Sequence, residues 1–377
     1  MGKLKIAYLI DTISCDTAGT QKQLLEIVSR LDKDRFEPFV ICLWESPWMK
    51  QHELPCQSFV LEFAGFLKPN ILRVVRRLDC LIRDLRIDLL QTFFVESLFI
   101  AYLAIVFGDS KVVMISSRRD MGLGSEPWYH RCFDLLLPIV NRRFDGIVAN
   151  GTNVMQYVKA KEKVPLHKIR VIRNGVSVPE RLDPEPDIFS FNKADFWIGV
   201  TASLTPVKRI DVFLRAIARL KLIQEGIDFR AVVIGAGPER ERLQAEAEAL
   251  GVGHLVYFVG EVHNVNAYLQ RLNIGVLCSD REGFSNSVLE YMACALPVVA
   301  TSVGGNTELV DDTNGICVPS GDPDALAEAM RRLAVDRSLR DDMGKRSLEK
   351  IRNSHSWERS ITEWKTYYEE MIGAHPC

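Results

Sequence analysis

The segment EGFSNSVLE, from Glu282 to Glu290, places a carboxylate at each end of a run rich in small and hydroxyl-bearing residues. It follows the apolar run NIGVLCS and leads into the helical pattern SVLEYMACA. A strand, a small-residue turn and a helix start put free backbone N–H groups at a sheet edge, and such groups bind phosphate. Gly283, Phe284, Ser285, Asn286 and Ser287 are therefore candidates for an anion cradle. Glu290, early in the helix, can reach a diol beside that phosphate, while Glu282 lies in the turn itself. The competing reading of the two acids is a carboxylate complementing the helix dipole and a solvated loop acid.

Lys208 and Arg209, in TASLTPVKRIDVFL, are a second anion-directed feature. Cations that open a helix oppose its dipole, so stability explains them poorly and a clamp on a diphosphate leaving group explains them better. An exposed pair of solvated charges is the alternative. Gly235 and Gly237 in VVIGAGPERERL make a GxG turn, but Arg240 stands where a dinucleotide fingerprint has its third glycine, and no ribose-binding acid follows. A tight turn and a ligand contact both fit it. In the first loop, DTISCDTAGTQKQLL, Gly19 and Thr20 follow Ala18 and open a helix, either as an N–H-presenting turn or as a plain glycine turn. Asp32-Lys33-Asp34 has the DxD spacing of a metal-dependent transferase, yet it falls where a helix ends and reads as a turn.

Such residues need sheets to carry them. The first half alternates β-branched runs (KIAYLI, FEPFVICL, QSFVLEF, IDLLQTF, KVVMIS, DGIVAN, KIRVI) with helical patterns at Thr20–Leu31, Pro69–Arg86, Ser97–Val106, Pro127–Phe144 and Thr152–Lys161. Strands separated by helices of that length predict a parallel sheet. Pro179, Pro184 and Pro186 interrupt the pattern, which then restarts with FWIGVTAS, Ile210–Gln224, FRAVVIG, Pro238–Leu250, HLVYFVG, NIGVLCS, PVVATS and GICVPS. The expected organisation is a first domain of residues 1–176, a linker of 177–193, a second domain of 194–355 and a terminal helical segment of 356–377. Two doubly wound α/β sheets would bind ligands in a cleft at their carboxyl edges.

Length and composition agree with this. With 377 residues, 47% hydrophobic and 25% charged, the chain exceeds what one core holds. A formal charge of -2 argues against a nucleic-acid partner. The excess is basic up to residue 180 and acidic afterwards, which suggests an anionic partner for the first half. Nine cysteines without a CxxC pair and seven histidines without HExxH predict reduced thiols and no dedicated zinc site. KLKIAYLI is too short for a signal peptide, and the stretch Thr92–Gly108 contains Glu96 and is too short to span a bilayer. The expectation is a cytoplasmic protein, soluble or peripheral at the inner membrane face. KPNILRVVRRLDCLIRDLR reads either as a basic helix lying on an anionic membrane or as a helix packing its apolar side on the sheet.

Taken in order, IRVIRNGV, LTPVKR, VVIGAGPE, YFVGEV, EGFSNSVLE and YMACALPVVATSVGGNTELV resemble the retaining glycosyltransferases of family 4. EGFSNSVLE is similar to that family's E-x7-E motif. The resemblance implies the GT-B fold: two Rossmann-like doubly wound domains facing across a cleft, the second binding a nucleotide-diphosphate sugar and the first a saccharide or lipid-linked acceptor. No cofactor and no obligatory metal are implied, and the final helix is expected to return to the first domain. Carried over by residue, Glu290 holds the donor ribose, while Glu282 and the Phe284–Ser287 backbone hold the transferred sugar and diphosphate. Lys208, helped by Arg209, stabilises the leaving group. Gly19 covers the donor phosphates, and the backbone near Val262 meets the base. Three departures accompany it: Ser203 stands where an arginine is frequent, the first loop has a single glycine, and ISSRRDMG replaces a usual histidine. Arg118, Arg119 and Asp120 are assigned to the acceptor and donor-sugar side.

No nucleophilic carboxylate stands out, so retention is expected through front-face attack, with the leaving phosphate oxygen taking the acceptor's proton. The rivals are a nucleotide-sugar epimerase, which needs no acceptor, a nicotinamide oxidoreductase, which the broken GxG disfavours, and a non-catalytic nucleotide-sugar-binding adaptor.

Overall fold

The computed structural model describes residues 2–17, 19–120, 130–191, 194–223 and 226–374. Ala18, the expected helix start at Pro127, Gln224 and the linker's end at 192–193 lie outside them. The chain divides into two compact units, residues 1–174 with 358–377, and residues 175–357.

In the first unit the β-branched runs become β1 (Leu4–Ile10), β2 (Phe36–Cys42), β3 (Gln57–Val60), β4 (Leu89–Phe93), β5 (Val113–Arg118), β6 (Gly146–Ala149) and β7 (Ile169–Val171). They form one parallel sheet in the order β3-β2-β1-β4-β5-β6-β7. Parallel neighbours require crossovers, and helices on both faces bury the central strands, so β4 is buried at every residue. The direction of strand addition reverses between β1 and β4. In sheets of this kind the reversal opens a crevice at the strands' carboxyl ends.

Helix Ile71–Leu85 turns Val74, Val75, Leu78 and Ile82 onto the core that holds Leu90, Leu98 and Met114. That spacing is one helix face, so the basic segment packs its apolar side on protein. Helix Trp357–Ala374 joins this unit from Glu358 onward. The Tyr368 hydroxyl donates to Gln91 Oε1 at 2.7 Å and receives the Tyr8 hydroxyl at 3.2 Å. Trp364 is buried beside it; a side chain of this kind contributes roughly 1.5–3 kcal/mol, and satisfied hydroxyls keep the neighbouring tyrosines from offsetting that.

The second unit contains β8 (Phe196–Thr201), β9 (Phe229–Ile234), β10 (Val256–Gly260), β11 (Ile274–Leu277), β12 (Val298–Thr301) and β13 (Gly315–Val318). Their order is β10-β9-β8-β11-β12-β13, all parallel, with the reversal between β8 and β11. The stretch expected as a linker packs within this unit. Phe189 meets Trp197 edge-on at 4.6 Å, and the Asp183 N–H donates to Gln270 Oε1 at 2.8 Å. After Asp322 the chain is helical, in Pro323–Val335, Arg337–Ser354 and Trp357–Ala374.

Candidate functional site

β8 and β11 flank the reversal of the second sheet, and the loops that leave them carry Lys208 and Glu282. After β8 the chain makes one 3-10 turn, Pro206–Lys208, with Pro206 opening it and Arg209 closing it in a left-handed conformation at φ 49°. After β11 it runs through Cys278 to Ser285 and enters helix Asn286–Ala293. The Asp280 N–H donates to the Val207 carbonyl at 2.9 Å, and the buried Cys278 thiol donates to the carbonyls of Lys208 and Arg209 at 3.2 Å. Burial pushes that thiol up to about 12, so it stays a neutral donor.

Between the loops, Lys208 Nζ donates to Glu282 Oε1 at 2.7 Å, and Ser279 Oγ donates to the same oxygen at 2.6 Å. The carboxylate side chain is 9% exposed and the lysine 24%, so the acid is held and the cation is open on one side. The helix beside them is fixed by its own residues. Ser285 caps it by accepting from the Val288 N–H at 3.3 Å, and the Ser287 hydroxyl donates to the Thr201 carbonyl at 2.8 Å. Tyr291, fully buried, receives the Thr201 N–H at 2.5 Å and donates to the Val276 carbonyl at 3.2 Å, which locks the ends of β8 and β11 together. The hydroxyls of Ser285 and Ser287 are thus engaged within the fold, and the Phe284 ring is buried in the core. Gly283 supports the turn from the far side, its carbonyl accepting the Gly305 N–H at 3.0 Å. Glu290 sits in the helix's second turn, half-buried. The same edge holds two buried oxygens with no partner, Thr201 Oγ1 and Asn306 Oδ1.

Arg209 differs from its neighbour. Its Nε and Nη2 donate to the two oxygens of Asp211 at 3.0 and 3.1 Å, and Nη1 reaches both oxygens of Asp280 at 2.9 and 3.1 Å. The sequence reading gave it to a phosphate; its donors are instead taken by carboxylates that raise its pKa further, and it ties the two loops together. Gly235 and Gly237 also have a structural cause. A Cβ at Gly235, where φ is +135°, would meet the Ala202 carbonyl oxygen at 2.0 Å, and one at Gly237 the Leu204 carbonyl oxygen at 2.4 Å. The GxG turn therefore supports the loop that leads to Lys208, as the tight-turn reading held. Val262 lies just beyond β10, half-buried against the core.

In the first unit, Gly19 and Thr20 open helix Gly19–Arg30, and Gln21 Oε1 fastens the preceding loop by accepting from the Ser14 and Cys15 N–H groups at 2.8 and 3.2 Å. Arg118 requires a correction. Its Nε donates to Glu162 Oε1 and Oε2 at 3.0 and 3.1 Å, Nη2 to Asn141 Oδ1 at 2.9 Å, and Nη1 to Ser116. With side chains 12% and 6% exposed, Arg118 and Glu162 form an internal tie rather than a ligand contact. Asp120 is exposed. Arg119 is half-buried against Phe93, and its Nη1 donates to Asn174 Oδ1 at 2.6 Å.

Sequence reading missed Asp11, at the end of β1. It receives the Ser97 N–H and hydroxyl at 3.1 and 2.5 Å, across the reversal of the first sheet. Burial first, and then the neighbouring Glu96, push its carboxyl up to about 8. An aspartate closing an otherwise apolar strand was the available signal. Among the described residues no group of three His, Cys, Asp or Glu side chains is arranged for a metal ion, and no helix is long and apolar enough to cross a membrane.

Two family profiles match the chain. The Glycosyltransferase Family 4 profile covers residues 17–179, and the Glycosyl transferases group 1 profile covers residues 195–336. Among curated relatives, N-acetyl-alpha-D-glucosaminyl L-malate synthase of Bacillus anthracis is 30% identical over 168 residues, 44% of this chain and 43% of the relative. The lipopolysaccharide core biosynthesis mannosyltransferase LpcC of Rhizobium leguminosarum is 29% identical over 182 residues, 47% and 51% of the two chains. The chain spans about half the length of the curated relatives it matches. A glycosyltransferase from Rickettsia africae superposes with a TM-score of 0.84 at 18% identity, covering 99% of both chains. HepE from Anabaena, solved with UDP-glucose, superposes at 0.81 and 18% identity, covering 97% of this chain and 100% of that one. These likenesses establish the fold, two Rossmann-like parallel-sheet units of the GT-B type. With a profile matching in each unit, the chain belongs to glycosyltransferase family 4, the group 1 glycosyltransferases.

Proposed function

We propose that the chain moves a sugar from a nucleotide-diphosphate sugar to a saccharide or lipid-linked acceptor, with retention of configuration, in polysaccharide or glycolipid synthesis. The observation that carries this reading is the Lys208–Glu282 pair at the reversal of the second sheet, beside the first turn of helix Asn286–Ala293. A diphosphate there meets a cation and helix-end amides together, and both gain strength as negative charge grows on the leaving group. Lys208, open on one side, can share its remaining N–H groups with that anion while Glu282 keeps it aimed. Glu282 and Glu290 then serve sugar and ribose hydroxyls as acceptors. With cation and amides facing the leaving group, no metal is required for the step. HepE in complex with UDP-glucose supports a nucleotide-sugar donor by analogy.

A lipid-linked acceptor is supported by apolar surface on the first unit. Phe107, Leu135 and Ile139 are 75%, 80% and 54% exposed on helices Val95–Phe107 and His130–Val140, and the basic helix Ile71–Leu85 packs beside the former. The same surface supports the proposal of peripheral contact with an anionic membrane at its cytoplasmic face. The deciding experiment is a panel of nucleotide sugars scored for nucleotide release with and without saccharide and lipid-linked acceptors, in the presence of a chelator. Release that needs an acceptor supports transfer. Conversion of the donor alone would make the chain an epimerase, and binding without release would make it an adaptor.

A further inference from the structure

Arg119 leaves the carboxyl end of β5 with an unmet requirement. Its Nη1 donates to Asn174 Oδ1 at 2.6 Å and its guanidinium stands 5.4 Å from the Phe93 ring centre, but its Nε is shut off from solvent without a hydrogen-bond partner. Among the described residues no carboxylate lies within ion-pair distance of it, unlike Arg118 beside it. Burial lowers its pKa only to about 10, so it remains a cation near neutral pH. A guanidinium N–H shut off from solvent without a partner is costly, and one at a sheet's carboxyl edge with no carboxylate beside it among the described residues points to a ligand.

A second orphan lies on the next strand. Asn150, 3% exposed just past β6, donates its N–H to the Arg118 carbonyl and its Nδ2 to the Arg119 carbonyl, each at 3.3 Å. Its Oδ1 is buried without a partner. An unsatisfied donor and an unsatisfied acceptor therefore lie on side chains joined through one backbone carbonyl, and they do not satisfy each other. Asn174, also 3% exposed, follows β7. The three residues stand beyond the carboxyl ends of β5, β6 and β7, which are consecutive in the sheet. A purely structural role explains the contact to Asn174 and leaves both orphans unexplained.

We propose that Arg119, Asn150 and Asn174 form an oxyanion subsite of the first unit, which takes a phosphate or carboxylate group and accepts a neighbouring hydroxyl on Asn150 Oδ1. The subsite deepens the glycosyl-transfer reading and rests on it only for the source of the anion, which is an acceptor's acidic group or the donor's diphosphate.

The first test uses inorganic phosphate as probe on the full chain, with calorimetric titration and thermal unfolding of the wild type, Arg119→Gln and Asn150→Asp. A charge-assisted contact of this kind carries about a 10- to 100-fold change in affinity, so Arg119→Gln should weaken phosphate binding by that factor. Asn150→Asp supplies the missing counter-ion, and should raise the melting temperature while abolishing phosphate binding at this site. The double variant Lys208→Met/Glu282→Gln, altered in the second unit only, should retain it. Wild-type phosphate affinity in both folded Arg119→Gln and Asn150→Asp would overturn the subsite. If Arg119→Gln does not fold, Asn150→Asp decides alone, through its paired gain in stability and loss of binding. In transfer assays, a weaker nucleotide affinity in Arg119→Gln assigns the anion to the donor. A raised KM confined to acidic acceptors assigns it to the acceptor. Phosphate binding that depends on Arg119 in a chain without transferase activity would sink the transfer reading and leave the subsite standing.

Discussion

Each unit carries two adjacent cations at the carboxyl edge of its sheet, Arg118-Arg119 in the first and Lys208-Arg209 in the second, and each divides them the same way. One has its donors taken up by carboxylates: Arg118 by Glu162, Arg209 by Asp211 and Asp280. The other keeps donors to spare: Lys208 beyond its bond to Glu282, and Arg119 with no carboxylate within ion-pair distance among the described residues. The tied cation fixes the loop, and only then can its neighbour be aimed. The units differ in what the remaining cation faces. Lys208 has a counter-charge in place, so its loop is stable without ligand. Arg119 has none among the described residues, and in the subsite proposed above an anion takes that place.

The division can be broken most forcefully at Arg118. Removing it leaves Glu162 buried without a counter-ion, and Arg118→Ala should cost about 3–5 kcal/mol of stability in urea unfolding. Arg209→Ala should cost much less, because Arg209 and Asp280 are 28% and 40% exposed and solvent screens them. Equal losses at the two positions would show that exposure does not decide what a tied cation contributes.

At Lys208 the expected loss is in turnover. Lys208→Ala should lower it on the order of 100-fold or more, as removal of an oxyanion donor does. Part of any stability change would come from Glu282 left alone, so the double variant Lys208→Met/Glu282→Gln separates the effects: it should recover the melting temperature and stay inactive. Near-normal turnover in Lys208→Ala would remove the lysine from the mechanism. A smaller effect is expected at Glu290, where Glu290→Ala should weaken nucleotide affinity by about tenfold, read by calorimetry, through lost hydroxyl bonds to a carboxylate. Unchanged affinity would detach Glu290 from the ribose.

How far these assignments were legible in the sequence depends on how local their causes are. The turn at EGFSNSVLE could be read because strand, turn, cap and helix are contiguous, and Ser285 caps its own helix. The parallel sheets were legible for the same reason, through apolar runs alternating with helical spacing. Which member of each dibasic pair has its donors taken up by carboxylates was not legible. Glu162 and Asp280 lie far along the chain from Arg118 and Arg209, and only the fold brings them together. The GxG turn looked like a ligand motif because the backbone it must clear, at Ala202 and Leu204, belongs to another loop. The proline-rich stretch looked like a linker because Trp197 and Gln270, which receive Phe189 and Asp183, follow it in sequence.

The contrast between the edges extends to the acids at the two sheet reversals, and pH sharpens it. Glu282 meets a lysine where the second sheet reverses; Asp11 meets Glu96 and Ser97 where the first one does. Burial and the second carboxylate hold the Asp11 pKa at about 8, against 3.8 for an unperturbed aspartate. Between these values the folded chain keeps a proton that the unfolded chain has released, so stability falls as pH rises through that window and levels off above it. The slope from one such group is at most about 1.4 kcal/mol per pH unit. Asp11→Asn keeps an oxygen for the Ser97 N–H and hydroxyl and removes the titration, so urea midpoints from pH 5 to 9 should flatten. Glu282→Gln removes a carboxylate that has a cation against it and should leave the falling slope in place. A slope that survives Asp11→Asn would mean that the proton is held elsewhere, and that the two reversals do not differ in the way their acids are neutralised.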